Sequence, residues 1–156
     1  MNSKTIHTYD DRTTRSMKTW IQLLRSFKSI NTKELNYITK CGLSMNQFEI
    51  LEALYHKGDL KIGEITRLIM STPGNVTVVV KNLSRDGLIE ISKDATDKRS
   101  QIASITPLGE EKIASMFGKH SQNLKSFFDE FNDEELDSLF AMLRRLYKFN
   151  RQEEEK

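Results

Sequence analysis

Two short stretches of this 156-residue chain gather side chains that can grip an anion or read the edge of a base. Ser71, Thr72, Asn75, Thr77 and Lys81 supply hydroxyls, an amide and an ammonium, with Val78 among them; on a helix they would span ~16 Å. Lys93, Asp97, Lys98 and Arg99 form a second, mostly cationic group. Hydroxyl, amide and cationic donors bond phosphate oxygens, lysine and arginine match guanine, asparagine matches adenine, and an outward valine can meet a thymine methyl. The parts for covalent chemistry are missing: no glycine-rich phosphate cradle, no nucleophile beside a base and no clustered metal ligands. His7, His56 and His120 stand singly, and the lone Cys41 excludes an internal disulfide. Neither an enzyme nor a bound cofactor or metal is expected.

The elements that would carry these groups follow from apolar spacing and punctuation. Pro73 and Pro107 are the only prolines, and each follows a threonine, the arrangement of a capping residue ahead of a proline at the first helical position. Upstream, Met17, Trp20, Ile21, Leu24 and Phe27 recur at spacings of three and four, predicting a helix that can continue through Leu35 and Ile38. A second helix starts at Ser44, where Gln47 completes a capping box, and would bury Phe48, Leu51, Leu54 and Tyr55 before Gly58. A short helix over residues 62–70 points Ile62, Ile65, Leu68 and Ile69 inward. Residues 73–86 are contested, because the run Val76 to Val80 is β-branched and favours a strand on propensity. Helix is preferred: Thr72 and Pro73 start it, Val76, Val79, Val80 and Leu83 keep helical spacing, and Gly87 suits a left-handed cap.

Residues 88–93 and 100–106 read as a β-hairpin with the polar tip 94–99. A long helix from Pro107 to about Phe131 would carry Leu108, Ile113, Phe117, Leu124 and Phe128. Asn132 and Glu135 then open a last helix, on which Leu136, Leu139, Phe140, Leu143, Leu146 and Tyr147 form a near-heptad seam that wants a partner. Charged residues make up 29% and hydrophobic residues 37%, too polar for a large private core but too rich in Leu, Ile, Val and Phe for disorder. The net charge of +2 decides little, but it is unevenly spread, +5 over residues 1–40 and −3 over 110–156. No apolar run approaches the ~20 residues of a membrane span, and the polar start lacks the apolar stretch of a signal peptide, so a cytoplasmic location with no membrane partner is expected.

The fold class expected is mainly α with a small β-hairpin wing. A short helix, a tight turn, a second helix and then a two-stranded ribbon is the order of a winged helix-turn-helix, whose second helix enters a major groove while the wing reaches along the backbone. Within that order, residues 83–89 (LSRDGLI), Asp97-Lys98-Arg99 and residues 105–109 (ITPLG) resemble the L-x-x-x-G-L-I, D-x-R and L-T-x-x-G signatures of the MarR family of bacterial transcriptional regulators. Residues 71–77 (STPGNVT) look like the start of that family's recognition helix. The resemblance covers about residues 12–150.

What the resemblance implies is one domain over 12–150, with flexible ends at 1–11 and 151–156. Residues 44–106 would form the winged helix-turn-helix lobe, and 12–40 with 107–150 the dimerisation helices of a homodimer. Two lobes would then face successive major grooves ~34 Å apart on a near-palindromic double-stranded operator. The expected function is a sequence-specific, DNA-binding repressor released by a small ligand or an oxidant. Arg99 would reach the minor groove or its phosphates, with Asp97 buttressing it or the hairpin, and Lys93 and Lys98 would add backbone charge. Asn75 and Thr77 would read base edges, Lys81 a phosphate or a guanine, and Val78 a thymine methyl. Ser71 and Thr72 would bond phosphates, although Thr72 equally serves as a cap and Lys81 as a solvated charge. In ligand-responsive relatives a pocket takes phenolic or other aromatic effectors; here Met17, Trp20 and Phe27 could line one, or simply pack in the core. Cys41 could sense oxidants as in some relatives, or be a small, partly buried apolar residue. The alternative function is a winged-helix protein-interaction module without specific DNA binding.

Overall fold

Short polar signatures start the helices, and in the computed structural model, which describes residues 8–97 and 99–154, most of them carry the hydrogen bonds that their residue types anticipate. The Asp10 carboxylate accepts from Thr13 N at 2.9 Å and opens α1, Asp11–Lys40. Ser44 and Gln47 cap reciprocally, Ser44 N donating to Gln47 Oε1 at 2.9 Å and Gln47 N to Ser44 Oγ at 3.3 Å, and open α2, Met45–Lys57. Glu64 Oε2 accepts from Lys61 N at 2.9 Å at the head of α3, Ile62–Leu68. Thr72 Oγ1 accepts from Asn75 N at 3.4 Å, with Pro73 in the first turn of α4, Pro73–Arg85. Asn132 and Glu135 exchange two 3.0 Å bonds before α6, Asp133–Glu154.

The β-branched run is therefore helical. Val and Thr give up roughly 0.5 kcal/mol each in a helix relative to alanine, but the stripe Val76, Val79, Val80 and Leu83 is buried, and burying such side chains contributes about 1.5–3 kcal/mol apiece. Next come β2, Ile89–Lys93, and β3, Gln101–Ile105, antiparallel with Ile89 opposite Ile105 and Lys93 opposite Gln101. The expected two-stranded hairpin gains a third strand. Leu60–Lys61, β1, pairs with β3 at Ala103 and Ile102, giving the order β1-β3-β2; two residues are too few to show a period-2 pattern.

The chain divides into two compact units, one up to Ile113 and one from Ala114 onward. In the first, Phe48, Ile50, Leu51, Leu54, Ile65, Leu83 and Ile89 are buried together with the α4 valines, and Ile38 and Leu43 join them. Several expected core residues are not buried. The buried arc of α2 is centred on Leu51 and Leu54 and turned toward Ile50, leaving Tyr55 exposed with its ring edge-on to His56. α3 is only seven residues long and buries Ile65 alone, so Leu68 at its last position is exposed. α5, Pro107–Phe127, stops short of Phe131, and Leu108 and Leu124 are exposed while Gly109, Ile113, Met116 and His120 carry its buried stripe. Helix α6 continues to Glu154, beyond the expected start of a flexible tail at 151, and residues 1–7 lie outside the described chain.

The start of α5 is sewn to the end of α4. Thr106 N donates to Leu88 O at 3.1 Å, Thr106 Oγ1 donates to Gly87 O at 2.7 Å, and the same oxygen accepts from Gly109 N at 3.1 Å. Gly87 has φ +73°, a left-handed conformation that suits glycine. Gly109 is required for a different reason, since a Cβ there would overlap the Leu88 carbonyl oxygen and stand 2.8 Å from Ile105 Cγ1. Neither the carbonyl nor the strand behind it can yield without breaking the junction. Gly109→Ala is expected to lose about 1–3 kcal/mol by overpacking, read as a lower urea midpoint with an unchanged slope, whereas Gly118→Ala, where a Cβ meets open space, should not lower it.

Candidate nucleic-acid interface

A turn of four residues sets the angle between α3 and α4. Ile69 N donates to Ile65 O at 3.0 Å and Ser71 N reaches back to Thr66 O at 3.3 Å; this closes α3 in the manner of a Schellman cap with Met70 at the left-handed position, φ +48°. A methionine there costs roughly 1–2 kcal/mol more than a glycine would, and its side chain is 81% exposed. With the valine stripe of α4 turned inward, Asn75, Thr77, Val78 and Lys81 are all exposed, as is Thr72, while Ser71 is half-buried.

Hydrogen bonds define what these groups have left to offer. Asn75 Nδ2 donates to Ser71 Oγ at 2.9 Å, which holds the amide at the helix start with its carbonyl oxygen and second N–H proton available. Thr77 Oγ1 donates to Pro73 O at 2.8 Å, so its methyl and oxygen lone pairs remain. The Lys81 ammonium has no ion-pair partner among the described residues.

In the wing, Lys93 and Arg99 are exposed. Asp97 Oδ1 accepts from Arg99 N, the backbone amide, at 3.0 Å. The buttress therefore acts on the turn, and the Arg99 guanidinium has no partner among the described residues. Lys98 lies outside the described residues.

Residues beyond the expected set also shape the site. Asp94, which the sequence places in the polar tip, is buried. Its Oδ2 faces Lys61 Nζ at 2.6 Å, and its Oδ1 accepts from Thr96 N at 2.8 Å, Thr96 Oγ1 at 2.7 Å and Asp97 N at 3.4 Å. The Lys61 ammonium first, then the Thr96 donors, hold its carboxyl well below the usual range, and Asp94 in turn raises the Lys61 ammonium. The Asp-x-Thr spacing at 94–96 is a sequence signal for such a turn; nothing local announces Lys61.

The candidate effector and redox residues fall elsewhere. Met17, Trp20 and Phe27 are not core: Trp20 is 57% and Phe27 65% exposed, because α1 buries only Glu34 and Ile38 near its C-terminal end. They are the nearest thing to a prepared apolar surface on α1, not an enclosed pocket. Cys41 is half-buried at the C-cap of α1. Its carbonyl accepts from Lys112 Nζ at 2.6 Å, and its thiol is hydrogen-bonded to Tyr37, whose phenol is pushed up by burial first and by that bond second. Among the described residues no cluster of three or more His, Cys, Asp or Glu could hold a metal ion, and no described helix is long and apolar enough to cross a membrane.

A short bracing helix, a tight turn, a second helix with one buried and one open face, and a three-stranded wing define a winged helix-turn-helix protein. The MarR family pattern matches residues 43–101. The HTH-type transcriptional regulator MhqR of Bacillus subtilis is 33% identical over 134 residues, spanning 86% of this chain and 92% of that one. The chain belongs to the MarR family of transcriptional regulators and, as expected, is not an enzyme. A MarR family regulator from Streptomyces coelicolor, crystallised in complex with DNA, superposes with a TM-score of 0.82 at 17% identity, over 93% of this chain and 92% of its own. BpsR of Bordetella bronchiseptica, a protein whose DNA binding is regulated by 6-hydroxynicotinic acid, superposes with a TM-score of 0.74 at 22% identity, over 83% and 98% respectively.

The Lys61 and Asp94 shifts fix the sign of a pH dependence. A lowered carboxyl contributes stability that is full above its unfolded pKa of about 3.9 and is lost as pH falls below it, while a raised ammonium contributes below about 10.4 and is lost above its own raised value. The stability difference between the protein and Asp94→Asn should thus be flat between about pH 5 and 9 and shrink below about pH 4. Chemical denaturation across that range is the measurement, and a difference that collapses near neutrality would contradict the pairing.

Proposed function

We propose that the protein is a sequence-specific DNA-binding repressor that works as a homodimer and leaves its operator when a small aromatic molecule binds. The observation that carries this reading is the open face of α4, where Asn75, Thr77, Val78 and Lys81 are exposed on the same lobe as an Arg99 guanidinium that has no partner among the described residues. On this reading Asn75 and Thr77 read base edges, Val78 meets a thymine methyl, and Lys81, Ser71 and Thr72 hold phosphates together with the α4 N-terminus. The wing would lay Arg99 in the minor groove, with Lys93 and Lys98 on the backbone.

The dimer is supported by apolar surface that one chain leaves uncovered. Met17, Trp20, Ile21, Leu24 and Phe27 are exposed on α1, and Leu136, Phe140, Leu143, Leu146 and Tyr147 on α6. Surface of that kind marks an interaction site, and we assign residues 12–40 and 107–150 to dimerisation and 44–106 to DNA. Two copies of the lobe related by a two-fold would meet half-sites ~34 Å apart. An effector that favours a different spacing of the lobes would lower affinity without touching the recognition helix. Phenolic ligands are the class to try first, with Met17, Trp20 and Phe27 as candidate contacts, and an action in the cytoplasm follows from the substrate being DNA.

Selection of a binding site from random duplexes, followed by anisotropy titrations against salt, tests this directly. Arg99→Ala should lose about 1–3 kcal/mol of affinity for the selected site. Lys93→Ala should weaken all duplexes evenly and flatten the log-log salt slope by about 0.9. Equal affinity for selected and random duplexes would overturn the specific-repressor reading and favour a protein-interaction module. Sedimentation should give twice the chain mass, and phenolic compounds should release the duplex from both the natural protein and Cys41→Ser, whereas release by oxidant lost only in Cys41→Ser would assign the switch to the thiol.

A further inference from the structure

We propose that Lys61 and Asp94 are positioning residues for the wing, tying its tip to the head of the helix-turn-helix so that Arg99 is presented in one orientation; this rests on the DNA-binding reading above. The contacts form an unbroken series. Lys61 belongs at once to β1, where it pairs with Ile102, and to the head of α3, where its amide donates to Glu64. Its ammonium reaches across to the buried Asp94 carboxylate. Asp94 closes the base of the tip, its N–H donating to Ser100 O at 3.0 Å, and its other carboxylate oxygen gathers Thr96 N, Thr96 Oγ1 and Asp97 N. Asp97 then accepts from Arg99 N, and Ser100 N donates to Asp97 O at 2.8 Å. Among the described residues, each one between Asp94 and Ser100 that bonds within the loop does so directly to Asp94 or at one remove from it.

The physical requirement runs through the charge of Lys61. A buried carboxylate with three donors on one oxygen still needs a countercharge on the other, and among the described residues Lys61 Nζ supplies it. Because Lys61 is half-exposed on an edge strand, its side chain can be exchanged without opening the core. Removing the ammonium should leave the lobe folded while the carboxylate turns toward water and the loop hydrogen bonds loosen. An arginine held in one orientation loses less freedom on binding than one on a loose loop, so the tie should be read in DNA affinity chiefly through Arg99 and not through the contacts of α4.

The test is a pair of double-mutant cycles on the full-length protein, measured by anisotropy on the selected duplex, with Lys61→Met and Asp94→Asn as separate probes. Each should weaken binding about tenfold. Either change combined with Arg99→Ala should weaken it little further than Arg99→Ala alone, because the positioned group is already gone; combined with Lys81→Ala, the factors should multiply. Lys61→Arg should restore binding. Factors that multiply in the Arg99 cycle, or an unchanged affinity in both probes, would overturn the proposal. Amide exchange gives a readout that needs no DNA: the Thr96 and Asp97 N–H groups should exchange about tenfold faster in Lys61→Met, while amides of the α4 core stay protected. If the natural protein binds no duplex, the DNA reading fails on its own, and the exchange rates still decide whether the tie exists, with equal rates in both proteins ruling it out.

Discussion

The rotation of α4 about its own axis governs which side chains that helix presents. Four side chains, Val76, Val79, Val80 and Leu83, are buried to within a tenth of their surface, and together they are worth on the order of 6–12 kcal/mol of apolar burial. A turn of the helix by one residue, 100°, would bury Thr77 or Lys81 and expose valine. No capping bond or surface ion pair, each worth about 1 kcal/mol, could oppose that. The open face therefore follows from the closed one: Asn75, Thr77, Val78 and Lys81 are outward because their neighbours are inward. The strained Met70 turn is tolerated on the same account, since about 1–2 kcal/mol of left-handed backbone is small beside the packing it permits between α3 and α4.

The far end of α4 transmits the constraint onward. Gly87 turns the chain left-handed into β2, and Thr106 holds that turn by both its backbone and its hydroxyl before β3 gives way to α5. Gly109 lies against the Leu88 carbonyl, so closely that no side chain fits. Helix α4, the wing strands and the first turn of α5 consequently share one junction a few residues across. The wing tip is the part the junction does not reach. Six residues separate Lys93 from Ser100, and within them the ordering comes from Asp94 and its neighbours rather than from the sheet. Core packing fixes α4 and local polar contacts fix the tip, which is why the two halves of the candidate interface differ in how easily single substitutions should disturb them.

The parts legible in the sequence are those whose physics is local. Capping boxes at Ser44 and Asn132, the Thr-Pro pair ahead of α4 and the left-handed Gly87 each occupy a few consecutive residues, and each is realised as read. The helical stripe of α4 was legible despite its β-branched composition because period and punctuation agreed against propensity. The losses share one cause. β1 exists only because β3 accepts it, 43 residues away at the Leu60 to Ala103 pair. Lys61 has no meaning until Asp94 is brought beside it, and the exposure of Leu68 and Tyr55 depends on where the neighbouring elements end. Asp97 was expected to serve Arg99 or the hairpin, and the bond to a backbone amide rather than to the guanidinium settles which, a distinction that residue types cannot carry.

The same division between local and distant explains why the total charge is uninformative while the charge pattern is not. A net +2 in 156 residues gives no long-range attraction to a polyanion. The +5 of residues 1–40 and the −3 of 110–156 belong to the helices whose apolar faces are exposed, and they nearly cancel. Under the proposed reading the cations offered to DNA would be a short set, Lys81, Lys93, Lys98 and Arg99, while Asp94 faces Lys61 and Asp97 accepts from a backbone amide. The two carboxylates of the wing tip thus accept hydrogen bonds within the protein, while Glu90 on β2 is exposed. Screening reduces charges more than about 8–10 Å away to a minor influence at physiological salt, so under the proposed reading the placement of these few cations, and not the chain total, would set the attraction to a phosphate.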